Sequence, residues 1–154
     1  MLEGWLGYHR TTLEMKCAGL SAAQLRAQPL PPSPLSLLGL VRHLADVERH
    51  WFRNIFGGER APALFSTDED PDADFNDLTG VTPEEVFRIW RDECVHASAV
   101  IRSASLDEIG KMKGTRTVED FSMRWILTHM IEEYARHNGH ADLIRETIDG
   151  ATGT

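Results

Sequence analysis

"HMIEEYARHNGHADLIRETID", residues 129–149, decides how the chain reads. It contains no proline, and its apolar residues recur at helical spacing: Met130, Tyr134, Ala141, Ile144 and Ile148. Successive helix residues turn by about 100°, so these side chains share one face, which Ile126 extends upstream. A helix is expected over about 121–149, with Gly150 as its stop. Glu132, Arg136, Gly139, Asp142 and Glu146 take the opposite face and read as solvated. Glu133 and His137 fall inside the apolar stripe, and His129 and His140 sit at its edge. An ionised carboxylate in a core costs several kcal/mol unless it is paired or bound to a metal. The pattern therefore asks what Glu133 faces.

Three further helices are expected upstream. The first spans about 2–20, with Leu2, Leu6, Leu13, Cys17 and Leu20 along one face, and a short helical turn follows from Ser21. "QPLPPSPLS", residues 28–36, has four prolines and interrupts any regular helix. The second helix reads from Ser36 as N-cap to Gly57 as stop, with Leu40, Leu44, Val47 and Trp51 as its stripe. The third begins at "TPEE", with Thr82 capping, Pro83 at the first position and Glu85 closing a capping box, and runs to about Ser103. Residues 58–81 are acidic and rich in turn formers, so they read as a solvated surface loop. The spacing of Asp68, Asp70, Asp72 and Asp74 hints at calcium, but the central glycine and terminal glutamate of an EF-hand are missing. No strand and no internal repeat is expected. The fold class is all-α, an up-and-down four-helix bundle in one domain spanning 1–154.

Composition narrows the function classes. A net charge of −8 repels phosphate backbones, and the basic segment "KMKGTR" at 111–116 is too short to offset it, so no nucleic-acid partner is expected. No run reaches the roughly 20 apolar residues of a membrane helix. The N-terminal "MLEGWLGYHR" lacks the basic and long apolar regions of a signal peptide, so a cytoplasmic protein is expected. Cys17 and Cys94 form no C-x-x-C and read as buried free thiols.

Glu133 and His137, four residues apart, project one turn apart from the same face and can grip one ion. A third ligand has to come from another helix. His43, at the edge of the second helix's stripe, and His9, between Trp5 and Leu13 on the first, compete for that place. His50 lies two turns beyond His43 and slightly nearer solvent. The alternative is that these histidines are hydrogen-bonded core residues and that Glu133 pairs with Arg10, Arg124 or Arg136.

"LVRHLADVERHWF", followed by "WILTHMIEEYARHNGHADLIRE", resembles the DinB/YfiT-like superfamily. The likeness is to its branch of small proteins near the mycothiol-dependent enzymes, and it covers nearly the whole chain. It implies a four-helix bundle with a divalent metal near one end, held by one His of the second helix and an i, i+4 pair of the last. Carried over, these are His43, Glu133 and His137. Many members have His where this chain has Glu133, whereas mycothiol-dependent maleylpyruvate isomerase has a Glu–His pair at this spacing. His140, where many members have Gln, is implied to support the ligands. Zinc is the expected metal, with nickel or manganese as substitutes.

The implied function is a metal-dependent enzyme that uses a low-molecular-weight thiol, such as mycothiol, for S-transfer to, or isomerisation of, a small-molecule substrate. The excess of arginine, 13 against 3 lysines, fits a GC-rich genome of the kind that makes mycothiol. His9, His50, His129 and His140 are unranked candidates to line the site or act as base. A second enzyme reading is metal-assisted hydrolysis. The non-enzyme reading is a metal-binding or metal-free bundle, a homodimer acting through its surface.

Overall fold

Three of the four long helices start where a side chain can take up a free backbone N–H; the first, which begins at Leu2, has no such cap. Ser36 accepts from Gly39 N, Thr82 from Glu85 N, and Ser122 from Trp125 N. In the computed structural model, which describes residues 1–76, 78–112 and 120–153, the helices are α1 (Leu2–Cys17), α2 (Ala22–Arg26), α3 (Leu37–Glu48), α4 (Ala73–Asn76), α5 (Pro83–Ser103) and α6 (Met123–Asp149). α3 continues without a break into a π-helical segment, Arg49–Phe56. α1 packs chiefly on α6 and α3 on α5, so the four long helices form the expected bundle. Its core is built from residues such as Leu6, Leu13, Leu40, Leu44, Ile126 and Met130. Part of the basic segment at 111–116 lies outside the described residues. Among those described, no helix is long and apolar enough to cross a membrane.

The structure corrects several expectations. α1 ends at Cys17 rather than Leu20, because Ala18 is extended and Gly19 turns at φ 76°. The turn from Ser21 is present, closed by a Ser21/Gln24 capping box. The stripe expected on the second helix holds at Leu40 and Leu44 but shifts after Glu48. A π turn takes in more residues than an α turn, so Phe52, Ile55 and Phe56 enter the core and Trp51 is left half-buried. Gly57 closes this segment where a Cβ would meet Arg53 O at 2.6 Å. The last carbonyls of the π segment are met by another part of the chain: Lys111 N donates to Phe56 O (2.9 Å) and Met112 N to Ile55 O (3.1 Å). Gly110 crosses so closely that a Cβ would meet Ile55 O at 2.6 Å, and its N–H donates to Phe121 O (2.9 Å) beside a single antiparallel bridge, Ile109 to Ser122. The start of α6 is thereby fixed against the π-helical end of α3.

The acidic segment is not a solvated loop throughout. Asp68, Asp70 and Asp72 are exposed, but Ala73 and Asp74 are buried in α4. Asp46 holds the segment by accepting from the backbone N–H groups of Leu64, Phe65 and Ser66. Arg42 donates to Ala73 O (3.1 Å) and lies over the Phe65 ring.

A polar network not foreseen from the sequence crosses the core. Glu48, 1% exposed, takes a two-pronged ion pair from Arg10 (2.7 and 2.6 Å) and a bond from Tyr134 Oη (2.8 Å). Trp90 Nε1 donates to Tyr134 Oη (2.8 Å), and Arg10 also reaches Ser98 Oγ. All four long helices meet at this network.

Candidate metal centre

His43 on α3 and Glu133 and His137 on α6 converge across the helix interface. One ligand atom from each lies within 4.8 Å of the other two. The His43 and His137 rings are 4.7 Å apart, centre to centre. α4 supports the cluster from outside. Asp74 Oδ2 is 2.8 Å from His43 Nδ1, and Phe75 stacks on the same ring at 4.9 Å. With Nδ1 engaged, Nε2 is the nitrogen left to His43 for another ligand. His140 Nδ1 is likewise 3.3 Å from His137 Nδ1. A carboxylate behind a histidine, fixing its tautomer and raising its basicity, is a common support for metal-bound imidazole.

The electrostatics keep this donor set ready for a cation. Burial, then the neighbouring His43, His140 and Arg136, push the His137 pKa down to about 4, against the opposing pull of Asp74. His137 is therefore a neutral imidazole near neutral pH, the form that ligates metal. Glu133 is 17% exposed at its side chain and meets only the exposed Arg136 among described cations, at 3.4 Å. Two imidazoles and one carboxylate from facing helices suit zinc and neighbouring divalent metals. The donor separation is within a small side-chain adjustment of what ion–donor bonds of about 2 Å require. The residues fit the metal.

The remaining histidines divide. His9 does not join the cluster: its ring sits beside Trp5 and Tyr8, and Asn138 Nδ2 lies 3.4 Å from its Nδ1. Arg10 and Arg124 pair with Glu48 and Asp107, not with Glu133. His50 packs edge-on to Trp51, and His129 lies against both Trp51 and Trp125. A cleft of about 390 Å³ opens beside His43 and is also lined by Val47, His50, Trp51, Asp72 and Phe75. The cleft reaches the cluster at His43. Asp74, read from the sequence as one of a solvated acidic run, is the residue whose place behind His43 was not foreseen. The signal available was the apolar pair Ala73 and Phe75 around it, in an otherwise acidic segment.

The profile of a family described as mycothiol-S-transferase matches residues 1–150, and the chain belongs to that family. Among solved structures, a conserved protein from Enterococcus faecalis is similar at a TM-score of 0.65 and 14% identity, covering 97% of this chain and 96% of that one. At that identity the likeness shows the fold alone. No curated protein matches the sequence.

Proposed function

We propose that this member of the mycothiol-S-transferase family holds one divalent metal, zinc by preference, at His43, Glu133 and His137, and joins a low-molecular-weight thiol to a small electrophile. The observation that carries this reading is the convergence of the three donors beside an open cleft. When bound, such an ion acts as a Lewis acid that lowers the pKa of a thiol at its open positions.

The protein's own thiols are unsuited to the attack. Burial raises the Cys17 pKa to about 12 and, with Glu48 nearby, raises that of Cys94 as well. Thiolate is the nucleophile, so the sulfur comes from a second small molecule. His129, one turn before Glu133 on the same face, is the base we assign to take its proton. Its Nδ1 lies 4.0 Å from Glu132. The sulfur lone pair then forms a C–S bond, and the leaving group departs with its bonding electrons. With a conjugated substrate and no leaving group, addition followed by expulsion of the same thiol isomerises it. The setting is one domain in the cytoplasm, where such thiols stay reduced.

The test follows iodide release from iodoacetamide by zinc-loaded protein with mycothiol, beside protein stripped by a chelator and a reaction lacking thiol. Metal- and thiol-dependent turnover is expected. A rate equal to the uncatalysed reaction overturns the S-transfer reading, and turnover without thiol moves it to hydrolysis.

A further inference from the structure

Along α6, Trp125, His129, Glu133 and His137 recur every four residues, so their side chains form one ridge. Glu133 and His137 belong to the metal cluster; Trp125 and His129 do not. Eight residues of helix place Trp125 about 12 Å along the axis from Glu133. Facing this end of the ridge is the π-helical segment, which carries Trp51. The Trp51 ring lies 4.7 Å from His129, 5.2 Å from Trp125 and 5.2 Å from Phe121. Trp125 stacks on His129 at 5.1 Å with only 16° between the planes, yet remains 42% exposed.

Three features make this more than a wet patch of indole. The rings are fixed by backbone, since Gly110, Lys111 and Met112 tie the start of α6 to the end of the π segment. Trp51 and His50 also line the cleft that opens at His43, so the aromatic surface is continuous with the metal cluster. The charge around it is selective too. Glu132, 4.0 Å from His129, and Glu133 at the next turn of the ridge both engage Arg136 (3.1 and 3.4 Å), so this arginine is not free to draw an anionic ligand. Desolvation and then the neighbouring His129 lower the pKa of His50 against the pull of Asp46, and so disfavour its cationic form.

We infer that Trp51, Trp125 and His129 form the binding shelf for the electrophile, and that the shelf selects neutral, flat, conjugated molecules over aliphatic ones. The inference rests on the S-transfer reading above. Aromatic groups favour offset or edge-on packing against one another, and the shelf offers both. A substituted ring lying on it, together with the sulfur that attacks it, spans the interval to the metal cluster. With chlorodinitrobenzene, the sulfur bonds to the ring carbon bearing chlorine, chloride leaves with the bonding pair, and the thiol proton passes to His129 and then to solvent.

Two measurements on the full chain test this. The first is the ratio of kcat/KM for chlorodinitrobenzene to that for iodoacetamide, with mycothiol and zinc. Trp125→Ala should lower that ratio about tenfold, and Trp125→Leu, which keeps apolar volume without the flat face, should also lower it. Trp5→Ala, at a more exposed tryptophan on α1 (54% against 42%), should leave it unchanged. The second is equilibrium dialysis of metal-free protein with dinitroaniline, a flat probe that cannot react. Its Kd should rise about tenfold in Trp125→Ala, with helical content checked by circular dichroism and Trp125→Leu standing in if the alanine variant does not fold. If dinitroaniline binds through Trp125 but no thiol transfer occurs, the shelf stands and the S-transfer reading falls. Transfer with an unchanged ratio and Kd, or no saturable dinitroaniline binding, overturns the shelf.

Discussion

Two polar groups of side chains lie between α3 and α6, and they are built on opposite plans. In the Glu48 network, cation, carboxylate, phenol and indole satisfy one another: Arg10 and Tyr134 both donate to Glu48, and Trp90 donates to Tyr134. In the His43–Glu133–His137 cluster, three electron-pair donors point at a common space, and their supports, Asp74 and His140, stand outside it. The first arrangement is complete without a ligand. The second has gathered acceptors without a buried donor among them, which is the arrangement a cation completes. Burial alone does not separate a structural polar group from a functional one; the direction of its partners does.

Breaking the complete network should have the largest effect. Glu48→Ala leaves the Arg10 guanidinium and the Tyr134 hydroxyl facing a void, and a broken buried pair costs about 3–5 kcal/mol. Urea unfolding of metal-free protein should show this loss. Arg10→Met combined with Glu48→Leu should recover much of it, because replacing both partners removes the unpaired charge. A Glu48→Ala variant as stable as the wild type would show that the network is not holding the four helices.

Asp74→Asn acts on the other plan. It removes the negative charge behind His43 Nδ1 but leaves the core intact. Metal affinity should fall about 10–100-fold, read by competition with a chelating dye, while the metal-free unfolding midpoint moves little. An unchanged affinity would mean that α4 only packs against His43 and does not orient it.

How much of this was legible in the sequence follows from the same contrast. The start of α5 and the end of α6 were readable because caps are local: Thr82, Pro83, Glu85 and Gly150 act within one turn. Glu133 and His137 were readable because i, i+4 spacing is local too. The choice of His43 over His9 was not settled by periodicity, since both flank apolar stripes; tertiary packing brings only His43 to the pair. Asp74 lies 31 residues from His43 in a segment whose composition reads as loop, and its spacing with Asp68, Asp70 and Asp72 makes it look like one of a solvated run. Glu48 was hidden for another reason. Its partners come from three other helices, and the π segment beginning at Arg49 moves Trp51 off the face that a regular 100° spacing assigns it.

Glu133→His should have the smallest effect. His and Glu can both reach an ion from one turn before His137, and Glu133 is only weakly held by the exposed Arg136. The variant should keep its metal and its stability, and the activity profile should move toward lower pH, because a neutral ligand leaves the ion more electrophilic. Strong destabilisation that zinc fails to rescue would instead make Glu133 a structural ion-pair partner.

Metal content is the most direct test of all. Purified wild-type protein, incubated with zinc and dialysed, should carry about one ion per chain by elemental analysis, as three converging ligands require. His43→Ala and His137→Ala should each lose it while keeping their helical signal, and His9→Ala should retain it. Wild-type protein that takes up no stoichiometric metal, or a His43→Ala variant that binds as well as the wild type, would contradict the assignment of this cluster as a metal centre.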